Sequence, residues 1–167
     1  MTTDTVGRFE RELEDLEVGL ERVPAADASE RIASAIEAPA VGTPLPFEGV
    51  SQPDSVMTEP TNGDVASART GVTPATFAIA EYGSLAIESR PAGDEPISVY
   101  PDRHVAVVAA SDVLPDIEAG FDRLEAQFAE RNSVVFATGR SATADMGDLV
   151  HGVHGPGEVR VIVLEDR

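Results

Sequence analysis

Three continuous apolar runs lie in the second half of the chain, and an amphipathic segment separates the first two. The runs are HVAVVAA at 104–110, SVVFATG at 133–139 and EVRVIVLE at 158–165. Runs of this length are typical of strands buried on both faces, as in a parallel sheet. The intervening segment predicts a helix whose apolar face carries Ile117, Phe121, Leu124 and Phe128. Strands that alternate with helices predict an α/β fold with a mainly parallel sheet and helices on its faces.

The first part of the chain predicts a helical arm and a proline-rich linker. Apolar residues recur at spacings of three and four from Val6 to Val23, which predicts one helix of about five turns. This helix either lies on its own domain or pairs with a partner protein, since its apolar seam is narrow. Residues 39–63 carry five prolines and predict an extended loop. We therefore expect an N-terminal helical arm over 1–38, a linker over 39–67 and an α/β domain over 68–167.

The charge of the chain is strongly negative. It has 30 acidic and 12 basic residues, a formal net charge of -18, and every basic residue is an arginine. The acids are spread along the chain, which favours adaptation of the whole surface to a salty solvent over an acidic interaction tail. We expect a halophilic, archaeal host in preference to an ordinary acidic protein. A nucleic-acid partner is not expected, because no basic patch is present to bind phosphates.

Several classes of site and location are excluded by what the sequence lacks. Without cysteine, the chain cannot ligate an iron–sulfur cluster through thiolates or form a sulfur-based zinc site. No P-loop, dinucleotide fingerprint or G-x-S-x-G motif is present. We expect no metal and no cofactor on this chain. No apolar run reaches the length of a membrane span, and the acidic N-terminus does not resemble a signal peptide, so we expect a cytoplasmic protein.

One candidate anion site lies where the 133–139 strand ends. Gly139 permits a sharp turn, and Ser141 or Thr143 is expected to begin a short helix. A helix N-terminus offers free N–H groups and the positive end of a dipole to an anion. The hydroxyls of Ser141 and Thr143 would add donors, and Arg140 would add charge. The alternative is that Ser141 or Thr143 is only the N-cap of the helix.

Glu81 and His154 are the candidate catalytic residues. Glu81 lies among apolar residues at a strand-to-strand turn, where a carboxylate must be paired, hydrogen-bonded or shifted in pKa. It is a candidate general base, nucleophile or ligand anchor, and the alternative is a glutamate that caps backbone N–H groups. His154 lies between glycines before the last strand, where a structural turn histidine is the alternative. Small or polar positions close to these two in sequence are Thr73, Gly83, Ser84 and Gly155.

Three segments in this order resemble the LUD domain family, the family of lactate-utilisation protein C. They are GVTPATFAIAEYGSLAIES, YPDRHVAVVAASDVLPDIE and GRSATADMGDLVHGVHGPGEVRVIVLED, which together span about residues 68–167. We expect a haloarchaeal-type member of this family. The family's shared positions fall on Thr73, Glu81, Gly83, His104, Ser141, Thr143, Asp145, His154, Gly155 and Pro156. The chain departs from the usual family pattern at Thr76, Tyr82, Ala142 and Gly147, and an arginine usually found at 142 is missing.

The resemblance implies a fold similar to the NagB/RpiA/CoA-transferase superfamily, described as a three-layer sandwich. It also implies a role in oxidising L-lactate to pyruvate beside separate iron–sulfur oxidoreductase subunits. The iron–sulfur clusters would then belong to those partners, in agreement with the missing cysteines. A small carboxylate is the expected ligand. The sequence leaves open whether this chain is itself an enzyme.

The sequence is also compatible with two other functions. One is a stand-alone enzyme or binding protein of the same fold that acts on a carboxylate, a phosphorylated metabolite or a CoA ester. The other is a scaffold subunit whose helical arm holds other subunits together.

Overall fold

A parallel sheet of six strands forms the centre of the computed structural model, which describes residues 4–130, 132–138 and 155–167 and the backbone of two strands within 141–150. In spatial order the strands are β1 (Gly19–Val23), β12 (Glu158–Leu164), β7 (Arg103–Ala109), β4 (Thr70–Pro74), β2 (Ala40–Gly42) and β3 (Val56–Met57). Every neighbouring pair in this sheet is parallel. The predicted α/β fold with a mainly parallel sheet is confirmed.

A second sheet of four strands packs against one face of the first. Its order is β8 (Val113–Leu114), β5 (Phe77–Ile79), β6 (Ser84–Glu88) and β9 (Val134–Ala137). Strands β5 and β6 form an antiparallel hairpin, and β9 extends it antiparallel to β6. The remaining strands, β10 (Ser141–Asp145) and β11 (Asp148–Val150), pair with each other in antiparallel orientation.

Five helices accompany these sheets in the described part of the chain. They are α1 (Thr5–Asp15), α2 (Ala28–Ala35), α3 (Asn62–Ser67), α4 (Asp94–Val99) and α5 (Ile117–Ala129). Asp4 caps α1 by accepting a hydrogen bond from the Gly7 N–H, and Asp116 caps α5 in the same way through the Ala119 N–H.

The apolar core lies on both faces of the six-stranded sheet. On one face, alternate residues of β7 and β12 pack against the inner face of the second sheet and against Phe9 and Leu13 of α1. On the other face, the intervening residues of the same strands pack against Ile32 of α2. The outer face of the second sheet is covered by α5 through Leu124. A sheet with apolar residues on both faces explains the continuous apolar runs at 104–110 and 158–165. The run at 133–139 was expected to be a buried strand, but it forms β9 of the second sheet, antiparallel to β6, and its residues are half-buried or exposed.

The predicted five-turn N-terminal helix is only half correct. Helix α1 ends at Asp15, and the second half of the apolar repeat forms strand β1, which pairs with β12. Glu17 adopts a φ of 57° at the break, a left-handed conformation that a helix cannot continue through. Phe9 and Leu13 are 0% and 2% exposed, so the arm lies on its own chain in the described structure. The boundaries proposed for the arm, linker and domain remain a prediction.

Two other local predictions were wrong. The segment expected to form a short helix from Ser141 or Thr143 is the β10–β11 hairpin, so no helix N-terminus exists there to bind an anion. On α5, Leu124 is buried as expected, whereas Phe121 and Phe128 are exposed. Gly120, and not Phe121, packs against the sheet. A Cβ on Gly120 would lie only 3.0 Å from the Ile79 Cδ1 atom. A glycine carries no apolar signal in a periodicity analysis, so the buried face was misplaced.

Candidate functional site

Glu81 lies in the turn that closes the β5–β6 hairpin. The turn is a short 3₁₀ helix over Ala80–Tyr82, and it contacts α1. The Glu81 side chain is 34% exposed, and its Oε1 atom lies 4.0 Å from Nη2 of Arg8 on α1. Arg8 also donates a hydrogen bond to the Pro115 carbonyl oxygen at 3.3 Å. Glu81 is therefore a half-exposed carboxylate beside an arginine, not a carboxylate enclosed by apolar residues as its neighbours in sequence indicated.

Gly83 ends this turn in the left-handed conformation, with a φ of 61°. A Cβ at this position would lie 2.9 Å from Leu16 Cδ1 and 3.3 Å from Leu13 Cδ2. Both the dihedral angle and the close approach of α1 therefore require glycine. Gly83 brings the Glu81 turn against the N-terminal helix, which places Arg8 beside the carboxylate.

Ser84 connects the Glu81 turn to the end of β9. The hydroxyl oxygens of Ser84 and Thr138 are 2.6 Å apart, and Ser84 is 4% exposed. Since β6 and β9 are antiparallel, the chain leaves β9 at this point and enters the segment that carries the remaining candidate residues. The structure thus places the start of that segment beside the Glu81 turn.

Thr73 is buried in the six-stranded sheet and bonded to a histidine. Its Oγ1 lies 2.9 Å from Nε2 of His104, and the two residues are 0% and 1% exposed. Burial lowers the pKa of His104 from 6.5 to about 4, so its imidazole is neutral near pH 7. The buried, neutral imidazole of His104 is part of the sheet's interior, and the Thr73 hydroxyl is engaged with it there.

Several candidate residues lie outside the described part of the chain. These are Arg140 and His154, together with the side chains of Ser141 and Thr143. Gly155 is described and is half-buried, and a Cβ there would meet no atom within 4 Å. Among the described residues, none lies close to the side of the Gly155 backbone on which a Cβ would project.

Sequence reasoning missed a cluster built around Arg90. The Arg90 guanidinium donates two hydrogen bonds of 2.7 Å, from Nε and Nη2, to the two carboxylate oxygens of Asp94. Asp94 is buried, with a side chain 1% exposed, and it accepts a further bond of 2.5 Å from the Thr43 hydroxyl. The hydrogen bonds that Arg90 donates to Asp94 raise the pKa of Arg90, so its charge is permanent. Arg90 also donates to the Pro44 carbonyl oxygen at 3.0 Å.

Arg90 borders a cavity of about 360 Å³ at the carboxyl end of the parallel sheet. The cavity is lined by Pro46, Phe47, Pro74, Ala75, Thr76, Glu88, Arg90, Asp112 and Arg123. Pro74 ends β4, and Asp112 belongs to the turn that follows β7. In open α/β sheets, ligands bind outside the carboxyl ends of the strands. The cavity and the Glu81 turn lie at opposite ends of the β5–β6 hairpin.

The sequence held only a weak signal for this cluster. Arg90 and Asp94 are four residues apart, a spacing that indicates an ion pair when both lie on one helix. Here Pro91 and Gly93 separate them, and α4 begins only at Asp94. Thr43, the third member of the cluster, comes from the loop after β2 and could be brought in only by the fold.

Within the described residues, no helix is long and apolar enough to cross a membrane. The same part of the chain holds no group of three histidine, aspartate or glutamate side chains arranged to bind a metal ion.

Known proteins similar to this chain agree on one family. The model of the family described as "LUD domain" matches residues 56–164 of this chain. A protein named Lactate utilization protein C from Deinococcus radiodurans is 29% identical over 94% of this chain and 78% of its own length. Proteins of the same name from Geobacillus thermodenitrificans and Bacillus subtilis are 33% and 30% identical over 60% of this chain. The matched region spans 44% of the length of each of these two relatives.

A solved structure has the same fold. It is the crystal structure of a DUF162 family protein from Deinococcus radiodurans, with a TM-score of 0.77 and 25% sequence identity. The superposition covers 95% of both chains. The similarity therefore extends over most of the residues that precede the matched family region.

Proposed function

The chain belongs to the LUD domain family, and from this premise we propose that it takes part in the oxidation of L-lactate to pyruvate in the cytoplasm. The observation that carries the proposal is the family match over residues 56–164, joined to relatives that are named for lactate utilisation. The relatives are longer than the regions that match this chain, so a role for this chain in the activity of those relatives is part of the proposal.

The redox step of the proposed function requires a partner. Oxidation of a hydroxyl to a ketone transfers electrons to an acceptor, and a chain without cysteine cannot hold an iron–sulfur cluster through thiolates. We therefore assign the electron transfer to iron–sulfur oxidoreductase subunits that assemble with this chain. In this arrangement the chain itself carries no redox cofactor and no metal.

Within this assembly, Glu81 and His154 remain the proposed catalytic residues. The half-exposed carboxylate of Glu81 is open to solvent and lies beside Arg8, so it is available as a hydrogen-bond acceptor or base. The Ser84–Thr138 contact brings the start of the segment that carries His154 to the same turn. A site with an acceptor and donors suits a hydroxy acid or its keto product.

Co-purification tests the proposed assembly. The tagged chain is isolated in high salt from its host after growth on L-lactate, and the eluate is examined for visible absorbance and for electron transfer from L-lactate to an artificial acceptor. We expect iron–sulfur absorbance and activity in the eluate, and a colourless chain when it is produced alone. Elution of the chain without partners under these conditions would contradict the assembly.

A second candidate function is a binding protein or enzyme that acts without redox partners. The specific observation in its favour is the Arg90 cavity, which is built from this chain alone. The scaffold alternative has less support, because Phe9 and Leu13 of the arm are already buried against their own chain.

A further inference from the structure

The cavity beside Arg90 has the position and size of a metabolite site. Its volume is about 360 Å³, within the range of about 300–1,000 Å³ that is typical of ligand pockets. Its lining comes from separate parts of the fold: the loop after β2, the ends of β4 and β6, the turn after β7, and helix α5. These segments converge at the carboxyl edge of the parallel sheet.

Arg90 is held as a fixed cation whose hydrogen-bonding capacity is not exhausted. Its Nε and Nη2 atoms bond to Asp94, while no bond from Nη1 exists within the described part of the chain. Arg103 offers a comparison, since its Nε, Nη1 and Nη2 atoms all donate to protein oxygens. All three guanidinium nitrogens of Arg103 donate to protein oxygens, whereas the Nη1 atom of Arg90 can donate to a ligand.

Arg123 adds a second guanidinium to the cavity from another element. It lies on α5, is 43% exposed on its side chain, and donates through Nη2 to Asp112. Its Nε and Nη1 atoms have no bond among the described residues. Two guanidinium groups with unused N–H donors suit the oxygens of a carboxylate or a phosphate.

The other lining residues restrict which anion fits. Glu88 and Asp112 also border the cavity, so an anionic head group must lie against the arginines and away from these carboxylates. A hydroxyl on the ligand would donate to Glu88 and would exchange a hydrogen bond with the Thr76 hydroxyl. Phe47 and the neighbouring prolines supply an apolar wall for the carbon skeleton.

We propose that this cavity binds a hydroxylated organic oxyanion of metabolite size, with its head group on Arg90 and Arg123. The site is distinct from the Glu81 turn, because the two lie at opposite ends of the β5–β6 hairpin. The inference stands on the cavity and goes beyond the proposed role in lactate oxidation. A failed binding experiment would leave that role intact, since the role is tested by co-purification and growth.

An NMR titration of the pure chain in high salt tests the proposal. The probes are L-lactate, a hydroxy carboxylate; glycerol 3-phosphate, a hydroxylated phosphate ester; and propionate, a carboxylate without the hydroxyl. We expect L-lactate or glycerol 3-phosphate to shift the backbone amides of Ala75, Thr76 and Glu88 in a saturable way. Which of the two binds more tightly tells carboxylate from phosphate, and propionate should bind more weakly than L-lactate.

Two variants and one matched control make the test specific. Arg123→Gln removes an exposed guanidinium and should weaken binding about tenfold without affecting the fold. Arg90→Gln should weaken binding at least as much, with folding checked because Asp94 loses its buried partner. Arg31→Gln removes an exposed arginine of α2 that pairs with Glu21 and does not line the cavity, so this variant should bind like the wild type. The proposal is overturned if neither hydroxylated probe shifts these amides, or if Arg123→Gln binds as tightly as the wild type. Equal binding of propionate and L-lactate would overturn the hydroxyl requirement.

Discussion

At the scale of single residues, a histidine with a strongly lowered pKa makes the stability of this protein depend on pH. His104 is buried, and its pKa falls to about 4, against 6.5 for an exposed histidine. Between these values the unfolded chain binds a proton that the folded chain does not, so the free energy of unfolding decreases as the pH falls. The stability that the neutral, buried His104 contributes is fully present above pH 6.5 and is lost as the pH falls toward 4.

Replacing His104 isolates this effect from the other titrating groups. His104→Gln keeps a side chain that can hydrogen-bond to Thr73 but does not titrate. We expect the stability advantage of the wild type over the variant to shrink by about 2 kcal/mol between about pH 7.5 and pH 5. Chemical denaturation in high salt measures both proteins. An advantage that stays constant over this range would show that His104 is not buried as a neutral imidazole.

Gly83 is the second residue whose identity the structure explains. Gly83→Ala introduces a Cβ at a φ of 61° and 2.9 Å from Leu16 Cδ1. We expect a loss of about 1–3 kcal/mol in the free energy of unfolding, from strain and from displacement of α1. Gly19→Ala is the matched control, since a Cβ there meets nothing within 4 Å. Equal effects of the two substitutions would argue against the close packing of α1 on the Glu81 turn.

At the scale of secondary-structure elements, the central strands were predictable and the segments around them were less so. Strand β7 is buried along nearly its whole length on both faces, so its apolar run is unambiguous. The repeat from Val6 to Val23 follows helical spacing throughout, yet its second half is a strand because β12 offers a parallel pairing partner. Spacing cannot detect a pairing partner that lies far away in sequence.

The candidate site was predictable to the same limited degree. The turn between β5 and β6 was predicted from its small residues, and it lies at Ala80–Tyr82 with Gly83 at its end. The catalytic role of Glu81 stays a prediction. The segment expected to begin a helix at Ser141 is a strand paired with β11, and N-cap spacing cannot reveal a strand partner. The Arg90 cluster depends on Thr43, which is distant in sequence, so local motifs could not reveal it.

The packing of α1 leads to a prediction at this scale. Leu13 is 2% exposed and lies in the core between the two sheets. Leu13→Ala should reduce the free energy of unfolding by about 2–4 kcal/mol, because it leaves a cavity in that core. Glu14→Ala, on the exposed side of the same helix, should change it by less than about 0.5 kcal/mol. Denaturant titration measures the free energy of unfolding of both variants. If α1 were a free arm that is not docked on the core, Leu13→Ala would leave this free energy unchanged.

At the scale of the whole molecule, the excess of acidic residues predicts a dependence of stability on salt. The chain has only 12 arginines to offset the negative charges of its 30 carboxylate side chains. Their mutual repulsion destabilises the compact state in dilute buffer, and salt screens it. We expect the melting temperature to rise as potassium chloride is raised from tens of millimolar to molar. A flat or falling melting temperature would refute a halophilic origin.

Growth on L-lactate is the most direct test of the central claim, that this LUD domain protein takes part in lactate oxidation. A host strain that lacks the gene is compared with its parent on L-lactate as the sole carbon source, and on a second carbon source as a control. The deleted strain should fail to grow on L-lactate alone, and the wild-type gene should restore growth. Glu81→Gln should not restore growth, whereas Glu14→Gln, an exposed carboxylate on α1, should do so. Growth of the deleted strain on L-lactate at the rate of its parent would contradict the account.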